Sequence, residues 1–145
     1  MTCHTNQSSS LAIGVEIGGT KIQVGMGSWD GNLLSDGVIR KHVVRTRGAA
    51  GIREDIAAMV DELLVTKNLR LSDIEKIGIG FGGILDSEKG VIQKSYQIDG
   101  WDNFPLKDWA EQQWNKPVRV QNDASTAGLA EALHGSGRGC RNFFY

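Results

Sequence analysis

Gly14-Val15-Glu16-Ile17-Gly18-Gly19-Thr20-Lys21 is the stretch on which the fold turns. Upstream of the paired glycines, Leu11 to Ile17 alternates and is rich in Ile and Val, the pattern of a half-buried strand. Downstream, Thr20 to Met26 alternates again, so the two runs predict an antiparallel hairpin closed at Gly18-Gly19. Asp30-Gly31-Asn32 is a second hairpin turn, leading into a third strand from roughly Leu33 to Val44. After Gly48 the period changes: Ile52, Ile56, Met59, Val60, Leu63 and Leu64 form the apolar stripe of a helix. Lys76 to Phe81 reads as a short strand ending in Gly82-Gly83, and a turn at Glu88-Lys89-Gly90 precedes another at Val91 to Lys94. Leu106, Trp109 and Ala110 mark a helix that Pro117 ends. Val118 to Val120 is a strand, and Asp123 to His134 a helix closed by Gly135. Phe143-Phe144-Tyr145 looks like the opening of one more strand. Three hairpin strands followed by βα alternation predict one α/β unit with a five-stranded mixed sheet, antiparallel at its N-terminal side.

The bulk composition is that of an ordinary globular domain: 145 residues, 40% apolar, 23% charged, net charge -1. No basic run exceeds two residues, so neither nucleic acid nor an anionic membrane is expected as a partner. Nineteen glycines against two prolines point to many tight turns and to close backbone approaches. Cys3 and Cys140 have no CxxC spacing, so no zinc site or disulfide framework is expected. Met1 to Ser10 is polar and lacks a signal-peptide core, which predicts a short disordered leader on a cytoplasmic protein.

Each motif has a plain reading and a chemical one. Gly-Gly suits a type I′ hairpin, which needs positive φ at both central positions. Thr20 and Lys21 add a hydroxyl and a cation beside the turn's amides, a combination that suits a phosphate. Gly14 and Gly19 have P-loop separation, but Thr-Lys reverses the required order and a strand follows instead of a helix, which rejects a P-loop. Gly78-Ile79-Gly80-Phe81-Gly82-Gly83 formally satisfies GxGxxG. No helix opens after it, so strand packing and a backbone wall against a small ligand are the better reading. Asn122-Asp123 is either an N-cap pair or a carboxylate at the ligand edge of an α/β sheet. At a helix N-terminus such a carboxylate is expected to be ionised and can accept the proton of a sugar hydroxyl during phosphoryl transfer. His4, His42 and His134 lack ligand spacing and read as surface residues. Trp101, Trp109 and Trp114 read as packing, with Trp101, which follows Gly100, also open to lining a pocket.

Together these residues resemble the N-terminal half of ROK proteins (repressors, open reading frames and sugar kinases), within the actin-like sugar kinase/Hsp70 superfamily of ribonuclease H-like folds. The family's Asp-x-Gly-Gly-Thr-Lys loop is similar to Glu16-Ile17-Gly18-Gly19-Thr20-Lys21, and its Gly-x-Pro-Gly-Pro-x-Asp segment to Gly80 through Asp86. Its Asn-Leu-x-x-Trp loop corresponds to Gln97-Ile98-Asp99-Gly100-Trp101, and its Asn-Asp-Ala segment to Asn122-Asp123-Ala124. The resemblance implies ATP-dependent phosphorylation of a hexose, glucokinase-like. Asp123 would be the base, with Asn122, Gly83 and Gln97 on the sugar. Glu16, Gly18, Gly19, Thr20 and Lys21 would face the ATP phosphates and their Mg²⁺.

The chain departs from the family pattern in four ways. Glu16 replaces Asp, reaching one methylene further; Gln97 replaces the sugar-binding Asn; both prolines of the third segment are missing. The fourth is length: residues 11–145 cover one lobe. The family's second phosphate loop, adenosine-binding lobe and His/Cys zinc site would all lie beyond Tyr145. The implied product is a truncated chain, inactive alone, with a homo-oligomer left open. The competing implication is a non-enzymatic, sugar-responsive ROK regulator.

Overall fold

The computed structural model of the protein describes residues 10–28, 30–142 and 144. The expected leader, apart from Ser10, lies outside the described residues with Cys3 and His4. So do Phe143 and Tyr145 of the expected closing strand; Phe144 lies in no strand. Among the described residues the order is β1 (Leu11–Ile17), β2 (Lys21–Ser28), β3 (Leu33–His42), α1 (Gly48–Thr66), β4 (Ile74–Phe81), β5 (Ile84–Asp86), β6 (Val91–Lys94), α2 (Leu106–Trp114), β7 (Val118–Asn122) and α3 (Asp123–His134).

The five-stranded sheet has the order β3-β2-β1-β4-β7. β1, β2 and β3 pair antiparallel, and β4 and β7 run parallel to β1. Alternation sorts each strand's residues between two faces. Ile13, Val15 and Ile17 of β1 point inward with Ile22, Val24 and Met26 of β2, Ile77, Ile79 and Phe81 of β4, and Val118 and Val120 of β7. They meet Ile52, Ile56, Met59, Val60 and Leu63 of α1, all nearly inaccessible to solvent. Each such side chain contributes about 1.5–3 kcal/mol on burial, so this face carries the fold.

The opposite face is glycine-rich and open. A Cβ on Gly14 or Gly78 would touch nothing within 4 Å. α3 crosses this face: its first residues lie over Gly80, where a Cβ would stand 3.6 Å from Asp123 Cα, and His134 reaches the turn at Gly31. No residue of α3 is buried, and Leu129 and Leu133 are exposed.

Ile84–Asp86 is a strand that the sequence pattern did not mark; it pairs with β6 in a separate two-stranded sheet across the expected turn at Glu88-Lys89-Gly90. Two expectations need correction. α2 stops at Trp114, before Pro117, because Asn115 adopts left-handed geometry with φ 49°. The Gly18-Gly19 turn is not type I′, since neither glycine has positive φ. What the glycine does there is let Gln97 pack directly on the turn: a Cβ on Gly19 would overlap the Gln97 amide oxygen.

Candidate active site

Register brings the candidate residues together. Ile17 pairs with Phe81, and Phe81 with Asn122, so β1, β4 and β7 end level with one another. The residues that follow, Gly18, Gly82 and Asp123, therefore leave the sheet at one edge, the carboxyl end where α/β sheets bind ligands. Hydrogen bonds lock the three turns. The Gly82 N–H donates to the Ile17 carbonyl at 2.9 Å. Asn122 Nδ2 donates to the Gly83 carbonyl at 3.3 Å.

Asn122 is the N-cap of α3, its Oδ1 accepting the Ser125 N–H at 3.1 Å. The cap satisfies one of the helix's free amides. Capping therefore accounts for Asn122 and leaves Asp123 to be explained. Asp123 Oδ1 accepts the Ala124 N–H at 2.8 Å, while Oδ2 takes no protein donor and faces Gly82. A Cβ at Gly82 would stand 2.9 Å from that oxygen; one at Gly83 would meet the Phe81 ring at 2.6 Å and the Lys94 carbonyl at 3.0 Å. At Gly83 the backbone passes close to other groups, whereas at Gly82 the one tight neighbour is the Asp123 carboxylate itself.

At the other turn, the Gly18 N–H is spent within the hairpin on the Lys21 carbonyl at 3.1 Å, and the Thr20 carbonyl accepts from Val43. Among the described residues the amides of Gly19 and Thr20 find no acceptor. Lys21 is exposed. Gln97 lies against Gly19, joining the expected sugar loop to the expected phosphate turn, with no bond to Asn122 or Asp123. Between them is a cavity of about 10 Å³ lined by Gly18, Gly19, Gly82, Ser95, Gln97 and Trp101 among others. That volume suits a single water.

Trp101 belongs to the core: it is fully buried, edge-on to Phe81 (5.3 Å) and Phe104 (5.4 Å). Arg53, which nothing in the sequence marked, stacks over the Phe104 ring at 4.3 Å and over Trp101 at 5.7 Å. Among the described residues the Trp101 indole N–H finds no acceptor. Trp109 and Trp114 form a separate pair. His42 and His134 are exposed, as read.

A buried charge was also missed. Asp55 of α1, with its side chain 8% exposed, accepts from Lys41 at 2.5 Å and from Arg47 at 2.8 and 2.9 Å. Burial alone would raise its pKa; the bonds from Arg47 and Lys41 outweigh that and hold it below the ordinary value. Its position within the apolar stripe, three residues after Ile52, was the available signal.

Among the described residues no cluster of three or more His, Cys, Asp or Glu could hold a metal by itself. Mg²⁺ needs no such cage when phosphates supply most of its oxygens, and one or two carboxylates suffice. Glu16 fits that requirement, keeping Oε1 free of protein donors among the described residues.

An α/β lobe with this sheet order and this ligand edge is of the actin-like ATPase fold, shared with ROK sugar kinases of known structure. The chain belongs to the ROK family, whose profile matches residues 12–145. A glucokinase of Halalkalibacterium halodurans is 35% identical over 130 residues, spanning 90% of this chain and 38% of the relative. The crystal structure of a ROK family glucokinase from Streptomyces griseus in complex with glucose and AMPPNP superposes with a TM-score of 0.77 at 35% identity, over 90% of this chain and 38% of that one. The Escherichia coli DNA-binding transcriptional repressor Mlc is 31% identical over 87 residues, 60% of this chain and 21% of the repressor. The chain thus spans about two-fifths of the kinases it matches.

Proposed function

We propose that this chain is the sugar-facing lobe of an ATP-dependent hexose kinase of glucokinase type. The observation that carries the reading is the level ending of β1, β4 and β7, which sets Asp123 Oδ2, unbonded, beside Gly82. Asp123 takes the proton of the attacking sugar hydroxyl as its oxygen bonds to the γ-phosphorus and ADP leaves. A weak base suffices, because the phosphoryl transition state is loose. Asn122, the Gly83 backbone and Gln97 orient the sugar. The Gly19 and Thr20 amides, with Lys21, meet the phosphates, and Glu16 would hold the Mg²⁺ that accompanies them.

The lobe alone supplies the base and one phosphate turn, and we infer that it is nearly inactive. Closure over bound substrates contributes about 7 kcal/mol or more to such reactions. The exposed Leu129 and Leu133 support a reading in which further protein packs on α3. We place the protein in the cytoplasm; among the described residues no helix is long and apolar enough to cross a membrane. The similarity to Mlc supports a second reading, a sugar-responsive regulator that binds hexose without phosphorylating it. A coupled ADP-release assay with glucose, mannose, fructose and N-acetylated hexosamines tests the proposal. Hexose binding with negligible turnover is expected. Turnover of about 10 per second, abolished by Asp123→Ala, would show the lobe to be a complete enzyme.

A further inference from the structure

Glu16, Gln23 and Arg40 stand side by side on three adjacent strands. The register pairs Glu16 with Gln23 and Gln23 with Arg40, and directly paired residues share a face. That face is the open one, opposite the core. Gln23 Nε2 donates to Glu16 Oε2, and Arg40 Nε donates to Gln23 Oε1. The amide has only one way to face, because a guanidinium only donates and a carboxylate only accepts.

Arg40 differs from the cations around it. Lys41 and Arg47 each meet a carboxylate, Asp55 or Glu54, on the other side of the sheet. Arg40 meets an amide, and the amide passes the contact on to Glu16. The distinction matters chemically. An arginine placed directly on Glu16 would bind both oxygens in a fork and put a positive charge where a cation must sit. An interposed amide holds one oxygen and leaves the other open.

We infer that Gln23 and Arg40 are positioning residues for Glu16: the relay fixes the carboxylate through Oε2 and presents Oε1 to the divalent cation accompanying phosphates at Gly18–Lys21. This rests on the kinase reading. A free glutamate would have to surrender its rotamer freedom when the cation binds, whereas a held one has already done so.

The test is binding of the Mn²⁺–AMPPNP complex to the 145-residue chain, read by the enhancement of water-proton relaxation that appears only when the complex is held by protein, with Mn²⁺–AMPPNP alone as the baseline. The proteins compared are wild type, Gln23→Leu, Arg40→Gln and the double variant, with urea unfolding run on each; Gln23→Met replaces Leu should that variant not fold. Gln23→Leu is expected to weaken binding of the complex about fivefold, the worth of one hydrogen bond. Arg40→Gln is expected to weaken it by a smaller factor. The double variant should match Gln23→Leu, because Arg40 acts only through the amide. Additive losses would mean that Arg40 acts directly on the phosphates, and an unchanged or tightened affinity in Gln23→Leu would mean that the pair merely stabilises the sheet; either overturns the relay. No enhancement with wild type overturns it as well, while glucose binding at Asn122-Asp123, titrated separately, decides the kinase reading.

Discussion

Replacing Gly82 with alanine separates the site from the scaffold. Gly82 does not have positive φ, so alanine brings no backbone strain and the added methyl is the whole perturbation. That Cβ would lie 3.4 Å from the Ile17 carbonyl, an ordinary contact, and 2.9 Å from Asp123 Oδ2, which is too close. Restoring 3.4 Å requires the carboxylate to retreat by the difference, 0.5 Å. A side-chain rotation of that size costs about 0.5–1.5 kcal/mol. Exchanging glycine for alanine restricts the unfolded chain and returns about 0.4–1 kcal/mol. Global stability should therefore change by less than about 1 kcal/mol. Sugar binding should suffer more, because the displaced oxygen is the one that meets the substrate hydroxyl; about tenfold weaker binding corresponds to 1.4 kcal/mol. The assay is urea unfolding by circular dichroism alongside glucose titration by NMR. Stability and glucose affinity both unchanged would refute the reasoning, since the methyl would then have found room without moving Asp123.

Other substitutions address the rest of the architecture. Asn122→Ala removes the cap on Ser125 and the tie to Gly83, and should cost about 1–2 kcal/mol in urea unfolding. Asp55→Ala leaves Lys41 and Arg47 without their shared carboxylate. The expected loss is about 2 kcal/mol, below the 3–5 typical of a buried pair because both cations keep solvent. The folded pKa of Asp55 lies below its ordinary 3.8, so its contribution is complete above about pH 4 and lost as pH falls through the folded value. Stability curves of wild type and Asp55→Asn should therefore converge only at acid pH; a constant gap down to pH 2 would count against the ion cluster. Trp101→Phe removes the indole N–H, which finds no acceptor among the described residues, and should stay within about 1 kcal/mol of wild type, whereas Trp101→Ala should lose about 3–5 kcal/mol. A loss well above about 1 kcal/mol for Trp101→Phe would count against an N–H without an acceptor.

β1 has the bounds its alternation predicts, β6 those expected after the Glu88-Lys89-Gly90 turn, and α3 runs from Asp123 to His134 as its cap and closing glycine indicate. The other strand ends were less legible: β2 and β7 run two residues past their expected ends and β4 starts two residues earlier, because backbone pairing continues where the side-chain pattern gives out. β5 escaped because three residues carry no period and its pairing with β6 is set by the turn between them. Gly18-Gly19 was located correctly, but a glycine pair can serve positive φ or close approach, and only the position of Gln97 distinguishes them. Trp101 packs in the core as its default reading had it, but its partners Phe81 and Phe104 could not be read from a segment without periodicity. Convergence of Gly18, Gly82 and Asp123 was foreseeable from each lying at a strand end. The Glu16–Gln23–Arg40 relay was not, because it depends on the register of three strands at once.

The central claim is that three strand ends form one hexose site around Asp123. Backbone amide NMR of the labelled chain during glucose titration tests it residue by residue. The account predicts shifts confined to Gly18-Gly19, Gly82-Gly83, Gln97 and Asn122-Asp123, saturating near millimolar glucose, about -4 kcal/mol, and lost in Asp123→Ala. Shifts at the opposite end of the sheet around Ile74 and Lys116, or a titration indifferent to Asp123→Ala, would contradict it.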